Sequence, residues 1–518
     1  MLVSPEASGS QTSLLHAIPF VASNAISLDT AGGCGWLGLA KVQMGPSAKP
    51  FGVGDAVLSV EIAVDGGCEA LLHRDQNTFA QTAATKKWRR RAEDKDKSIV
   101  NIITQLPGQS LYEAAYNRLC YDFVIPWPGS LKRLPKLMST TAPNSCLVSV
   151  VAAVAYANFH GRCKSHEAKA ASGIHYGRAL QKLATTLSDP ADMQRDEILM
   201  VIFLLGMYEM LTSAARDGTW ITHMQGTQSI LAHRDNRNLT DEDHYLAILC
   251  VHMVIYHVTE AKSPPPHLQH WIQQIPFPME FKKQLVIIMS SAAAVCAKLR
   301  EQSTLITAGY PNELAKADLI LLEEALAVDC QLQSWSTTLP SAWSVLSKHA
   351  ITIEHSPSWI RELLAFPGAP EYTYRYSNRL AASDWNACRT TRLRLHLEIL
   401  DFLSQRPCSS ANLTTIKTNS LDAIRTLVTD IAWSVPYALN ISPDGTSAFA
   451  TPEGIPGLCS YMIMWSTFST LICLQHESVQ GQDFAHRAKW FRTVLKFLRD
   501  DMGIAKVDVF LQELPEIS

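Results

Sequence analysis

Apolar positions recur at helical spacing along most of the chain beyond residue 98. Leu180, Leu183 and Leu187 follow one another at intervals of three or four residues, which is the period of one helix face. Residues 198–208 are apolar on all sides, as expected of a helix in the centre of a core. Comparable patterns continue to the C-terminus, and no alternation of strands and helices is sustained. The sequence therefore predicts an all-α fold, a large bundle of ten or more helices.

Three segments need a separate interpretation. Residues 144–163 form an apolar, Ala-rich run with Asn144 as a candidate helix cap. Residues 359–373 contain two prolines and a glycine, so we expect this segment to end in a loop. Residues 455–474 carry no charge and are long enough to span a membrane, but Pro456 interrupts the run and Ser and Thr dilute it. We interpret this segment as a buried helix, and we expect no membrane partner.

The N-terminal stretch differs from the rest of the chain. Up to about residue 85, Gly and Ser are frequent and helical periodicity is weak. Residues 58–64 alternate well enough for one short strand, but no clear partner strand follows. We therefore predict a poorly ordered N-terminal segment over residues 1–97 and an all-helical domain over residues 98–518.

A basic patch lies near the end of that segment, where five cations occur within six residues: Lys86, Lys87, Arg89, Arg90 and Arg91. Acidic residues follow at 93, 94 and 96. One interpretation is a nuclear import signal or a contact with nucleic-acid phosphates. The other is a solvated helix face on which opposite charges pair. The residues alone leave both interpretations open.

Composition and charge exclude several function classes. The formal net charge is −3, so no global positive field attracts nucleic acid. Twelve cysteines are spread along the chain without any CxxC, which argues against zinc ribbons, thioredoxin-type sites and a dense disulfide framework. The sequence also has no GxSxG, HExxH or Walker-type motif. We therefore assign no catalytic residue and no metal ligand, and we do not expect an enzyme.

A set of ordered motifs lies within residues 177–234. Residues 179–183 (ALQKL) are followed by an acidic break, an apolar helix and the pair Tyr208-Glu209; residues 220–226 (WITHMQG) then lead to Ile230-Leu231. This order resembles the regulatory region of fungal zinc binuclear cluster transcription factors. Asp384-Trp385-Asn386, with arginines at 389 and 392, looks like a later helix of that family, so the resemblance covers roughly residues 100–518.

The resemblance implies an all-helical regulatory domain and a nuclear protein. In that family, DNA is recognised by a separate N-terminal module in which six clustered cysteines hold two zinc ions. This chain departs from that pattern, because Cys34 and Cys68 are the only cysteines before residue 120. No zinc ligand or DNA-contacting residue can be carried over. We therefore expect no cofactor in this chain, and zinc only if an unseen N-terminal module exists.

Two roles are open for the residues that the motif shares with the family, Trp220, His223 and Gly226. They can pack one helix closely against another, with Gly226 allowing the approach. Alternatively, they can line a pocket for a small-molecule effector, because helix bundles hold ligands between their helices.

The function that the resemblance implies is transcriptional regulation, here of a fungal secondary-metabolite gene cluster. DNA would be reached only indirectly or through the missing module, and a protein partner, a homodimer and a small-molecule effector are the partners to consider. Two alternatives stay open. One is a cofactor-free enzyme, a cyclase or isomerase, on the same helical scaffold, since fold does not fix function. The other is an interaction protein that does not bind DNA itself.

Overall fold

A computed structural model describes residues 109–126, 130–189, 192, 195–212, 219–232, 245–275, 277–307, 316–405, 411–479 and 481–514. The predictions for residues 1–97, the basic patch among them, lie outside these residues. Within the described part the fold is all-α, with sixteen α-helices and one two-stranded sheet. The predicted fold class is confirmed.

The helices are α1 (Leu111–Leu119), α2 (Leu134–Thr140), α3 (Cys146–Cys163), α4 (His166–Leu187), α5 (Asp196–Thr212), α6 (Thr219–Ala232), α7 (Tyr245–Glu260), α8 (Pro266–Gln274), α9 (Glu280–Thr307), α10 (Lys316–Thr337), α11 (Ser358–Leu364), α12 (Arg379–Ser404), α13 (Ala411–Ala438), α14 (Gly457–Leu474), α15 (Gln482–Asp500) and α16 (Lys506–Glu513). The strands are β1 (Val345–Ala350) and β2 (Tyr372–Tyr376).

The chain divides into two compact units. Unit 1 comprises Met1–Cys120 and Pro135–Asp235, and unit 2 comprises Tyr121–Leu134 and Asn236–Ser518. This division into units does not test the predicted boundary between residues 97 and 98. The domain over residues 98–518 therefore stays a prediction.

Helix α3 is central to unit 1 and packs against α1, α4 and α5. Its apolar side chains point in all directions, and most of them are buried. The helix begins one residue later than expected, because Ser145 and not Asn144 is its N-cap. The Ser145 hydroxyl accepts a hydrogen bond from the backbone N–H of Val148 at 3.1 Å. Ser and Asn are similarly good caps, so the composition of this segment did not distinguish the two neighbours.

Helix α12 has the corresponding position in unit 2, where it packs against α9, α10, α13, α14 and β2. Its polar side chains reach into the interior and find partners there. The Asn386 amide donates to the Ser434 hydroxyl of α13 at 2.8 Å, and Arg389 donates to the Tyr376 hydroxyl of β2 at 2.6 Å. These bonds hold neighbouring elements at fixed positions along α12.

The two strands pair antiparallel and were not foreseen from the sequence. The expected loop is present: α11 ends at Leu364, and Gly368 has a φ of +85°, which favours glycine. The chain then enters β2 at Tyr372 instead of continuing irregularly. The Nζ atom of Lys348 on β1 lies 3.5 Å from the ring centroid of Trp433, so a cation–π contact ties the sheet to α13.

Two helices, α3 and α14, are long and apolar enough to cross a membrane by length and composition alone. Of their apolar windows, 83% and 78% of the residues are buried inside the protein. Helix α14 corresponds to the uncharged segment 455–474, and its burial agrees with the interpretation as a core helix.

The start of α14 is held by a residue more than three hundred positions earlier. Asp122 is fully buried, and its Oδ1 atom accepts a hydrogen bond from the backbone N–H of Gly457 at 2.8 Å. The N-cap residue of α14, Pro456, provides no side-chain hydrogen bond. The carboxylate of Asp122 therefore takes the place of a local cap at the positive end of this helix.

We predict that Asp122→Ala lowers the free energy of unfolding by about 2 kcal/mol, because it removes a buried, charge-assisted cap of α14. Urea unfolding followed by circular dichroism measures the change. Asp422→Ala is the matched control: its carboxylate is 61% exposed in an ion pair with Arg425, so a change within about 0.5 kcal/mol is expected. Equal effects of the two substitutions would contradict the role of Asp122.

Candidate functional site

Four helices of unit 2, α7, α9, α12 and α14, surround a cavity of about 450 Å³. This volume lies within the roughly 300–1,000 Å³ that is typical of small-molecule pockets. The exposed residues Pro278 and Met279, which precede α9, lie at its rim. The cavity is the candidate functional site of the described chain.

Each helix contributes a stripe of side chains at helical spacing. On α7 the stripe runs through Val251, Ile255 and Val258, which are four and three residues apart. On α9 it runs through Lys282, Leu285, Val286 and Met289. Side chains three and four residues apart share one helix face, so both helices present a continuous, largely apolar wall.

The opposite walls follow the same rule. On α12 the stripe comprises Leu380, Ser383, Ala387 and Thr390. On α14 it comprises Leu458, Tyr461, Met462 and Trp465. Because Ser383 and Ala387 are small, α12 leaves space where larger side chains would fill the interior.

Three side chains fix one another beside the rim. The Nζ atom of Lys282 lies 3.0 Å from Oδ2 of Asp384, and the side chains are 16% and 19% exposed. The indole N–H of Trp343 donates to the same carboxylate oxygen at 2.8 Å. Lys282 also lies 5.2 Å from the ring centroid of Trp343. This Lys282–Asp384 pair is thus held in place before any ligand arrives.

His252 of α7 and Tyr461 of α14 also line the cavity. Their rings contact each other edge-on, with centroids 5.5 Å apart. Burial lowers the pKa of His252 to about 4. Burial also raises the pKa of Tyr461 well above its usual range. Both side chains are therefore neutral at physiological pH and add no charge to the wall.

Two buried hydroxyls next to the cavity have no hydrogen-bond partner among the described residues: the Oγ1 atoms of Thr259 and Thr390. Neighbouring hydroxyls behave differently. Thr391 donates to the carbonyl of Ala387 at 2.8 Å, and Ser466 donates to that of Ile463 at 3.0 Å. Since buried polar groups are normally paired, Thr259 and Thr390 leave hydrogen-bonding capacity at the wall.

The geometry therefore suits the binding of a small, mostly apolar molecule. It does not point to a metal: within the ranges that the structure describes, no group of three or more His, Cys, Asp or Glu is placed to hold a metal ion.

Comparison with known families gives this cavity a context. Residues 128–363 match the family profile described as the fungal specific transcription factor domain. Over these residues the chain is therefore similar to proteins that carry a fungal specific transcription factor domain. No curated protein and no solved structure matches the chain.

The transcription factor domain contributes only part of the cavity. Helices α7 and α9 and Trp343 lie within the matched residues, whereas α12 and α14 lie beyond residue 363. The segment that follows the matched domain thus completes the site, and the Lys282–Asp384 pair joins the two parts of the chain.

The motif residues singled out in the sequence lie elsewhere, on α6 of unit 1. His223 is 2% exposed, and a Cβ atom built on Gly206 of α5 would lie 4.0 Å from the Cβ of His223. Gly226 is also buried, and the backbone of Trp220 belongs to the first turn of α6. Neither His223 nor Gly226 is among the described residues that line the unit 2 cavity. Their assignment to packing or to a second pocket stays a prediction.

The pair Tyr208-Glu209 also belongs to a helix contact in unit 1. The ring of Tyr208 stacks on that of Tyr176 from α4, with centroids 4.0 Å apart. The Tyr176 hydroxyl donates to the carboxylate of Glu209. The motif thus places an aromatic stack and a hydrogen bond between α4 and α5, and sequence reasoning missed Tyr176 as their common partner.

Sequence reasoning also missed the cavity. Lys282 and Asp384 carry no signal as a pair, because they are far apart in the chain and belong to no shared motif. Asp384 was singled out only as part of the family-like segment 384–386. The stripes on α7 and α14 were detectable, but their spacing is the same as that of ordinary core helices.

We predict that His223 makes the stability of unit 1 depend on pH. Burial lowers its pKa to about 4, whereas the unfolded chain takes up the proton near pH 6.5. The stabilising effect is therefore complete above about pH 6.5 and is lost as the pH falls toward about 4. When the pH is lowered from about 7.5 to about 5.5, the free energy of unfolding should fall in both proteins. The fall should be about 1 kcal/mol smaller in His223→Leu than in the wild type.

Urea unfolding at the two pH values measures this difference. His166→Leu is the control at an exposed position, the start of α4. An identical pH response in the wild type and His223→Leu would show that His223 does not titrate in this way.

Proposed function

We propose that this protein is a nuclear regulator of transcription whose output is set by a small molecule bound in the unit 2 cavity. The observation that carries the proposal is the cavity itself: it has the volume of a ligand site and lies within a chain that carries a transcription factor domain. The walls include helices of the matched segment, so an effector would contact the regulatory domain directly.

We propose that DNA is reached through a partner protein or a separate zinc module. The sequence supports this view because its twelve cysteines contain no CxxC and its net charge is −3. Phosphate contacts normally need a local excess of Lys and Arg, and the basic patch at residues 86–91 is the one segment singled out for that role.

We propose further that the regulated genes form a fungal secondary-metabolite cluster, as the resemblance implies. An apolar effector site fits such a role, since a product or intermediate of the pathway could report on its own synthesis. The enzyme alternative has no comparable support, because the matched domain is one of transcription factors.

Deleting the gene should change the transcripts of a contiguous group of biosynthetic genes, which RNA sequencing measures. Complementation with Ala387→Trp should fix these transcripts at one level across culture conditions, because the indole fills the cavity from α12. Ala327→Trp, on the exposed face of α10, should restore the normal response. Unchanged transcripts in the deletion strain would contradict the proposed function.

Nuclear import can be tested on the basic patch. Replacing Lys86, Lys87, Arg89, Arg90 and Arg91 with Ala should move a fluorescent fusion of the full chain from the nucleus to the cytoplasm. Replacing only Lys86 and Lys87 with Arg preserves the charge and should preserve nuclear accumulation. Nuclear accumulation of the five-alanine variant would assign import to another segment.

A further inference from the structure

The charge distribution of the cavity restricts what it can bind. Among the described residues that line it, Lys282 and Asp384 are the only Lys, Arg, Asp or Glu side chains. They form an ion pair with each other at 3.0 Å, so the lining has no net charge. His252, the one histidine among the described lining residues, is half-buried, and desolvation lowers its pKa to about 4, so it is neutral at physiological pH.

A charged ligand would therefore lose its hydration without gaining an opposite, unpaired charge. Transferring an ion from water to apolar surroundings is unfavourable unless it is paired there. Here each charge of the pair already has its partner, and Asp384 also accepts from Trp343. A neutral polar group does not meet this barrier, because it can hydrogen-bond to the ion pair while the pair stays intact.

The walls suit a molecule with a broad apolar body. Phe277, Tyr461 and Trp465 offer aromatic surface. Met279 directly precedes α9, Met289 lies on α9 and Met462 lies on α14. Methionine side chains are flexible and polarizable, so they adapt to irregular apolar shapes. The site should therefore discriminate between ligands by their charge and polarity more strictly than by their shape.

We propose that the cavity binds a neutral, predominantly apolar small molecule, with its one polar group, a hydroxyl or carbonyl, at the Lys282–Asp384 pair. The pair acts as a charge filter at the rim. This inference rests on the proposed function only because it takes the cavity to be the effector site. Ligand-binding measurements test it, without any measurement of transcripts.

Binding of Nile red, a neutral fluorescent probe, to the full chain tests the site itself. The fluorescence should rise on binding, and Ala387→Trp should abolish the rise by filling the cavity. Ala327→Trp is the matched control on an exposed helix face and should bind the probe like the wild type. Circular dichroism verifies that each variant is folded.

Competition against Nile red then tests the filter. Decan-1-ol, decanoate and decylamine share one apolar body and differ in the charge of the head group. The alcohol should displace the probe at concentrations about tenfold or more below those needed for either ion, because an ion loses far more hydration free energy on burial than a hydroxyl does.

Removing one member of the pair should change the preference in a defined direction. Asp384→Asn leaves the cation of Lys282 unpaired, so decanoate should gain about tenfold relative to decan-1-ol. Lys282→Met leaves the carboxylate unpaired, so decylamine should gain instead. If one variant does not fold, the other provides the same test with the opposite charge.

The outcomes separate this inference from the proposed function. Absence of Nile red binding, or full binding by Ala387→Trp, would overturn the cavity as a ligand site and with it the effector part of the proposed function. Binding without preference for the alcohol, or without the opposite shifts in the two variants, would overturn the charge filter alone. A preference for the alcohol that shifts as described supports the inference.

Discussion

The architecture of unit 2 depends on the pairing of charges that α12 carries into the interior. Arg389, Arg394 and Glu398 are each less than one-tenth exposed. A buried charge without a partner is strongly destabilising, so each of these side chains needs one. The Nε atom of Arg389 lies 3.6 Å from Oδ2 of Asp430 on α13, and its guanidinium also donates to the Tyr376 hydroxyl of β2. Glu398 accepts from Arg394 on α12 and from Arg300 of α9, both at 2.7 Å.

A second pair on α12 involves α10. Arg392 donates to Asp329 at 2.6 Å and 3.2 Å, and His396 lies 3.3 Å from the same carboxylate. Burial by itself would raise the pKa of the Asp329 carboxyl. The nearby His396 and Arg392 side chains outweigh this effect and hold the pKa well below its usual range. These partners fix α9, α10 and β2 around α12. The face of α12 that carries Ser383, Ala387 and Thr390 takes no part in the charge pairs and forms one wall of the cavity.

Local sequence patterns predicted the helices because burial imposes its period on them. They failed where the deciding interactions are distant. Strands β1 and β2 are short, and α11 lies between them in the chain. Because no tight turn joins the two strands, no sequence pattern indicated that they pair. The cavity walls follow the same three- and four-residue spacing as a filled core. Only the three-dimensional arrangement shows that small residues such as Ala387 leave the space empty.

The regulatory consequence follows from what lines the cavity. A ligand there touches α7 and α9 from the matched domain and α12 and α14 from beyond it. A molecule that binds the folded state raises its stability by mass action, by about 2.7 kcal/mol at a hundred times its dissociation constant. Occupancy would thus strengthen the association of these four helices. Under the proposed function, the ligand would therefore stabilise unit 2 without any charged group having to move.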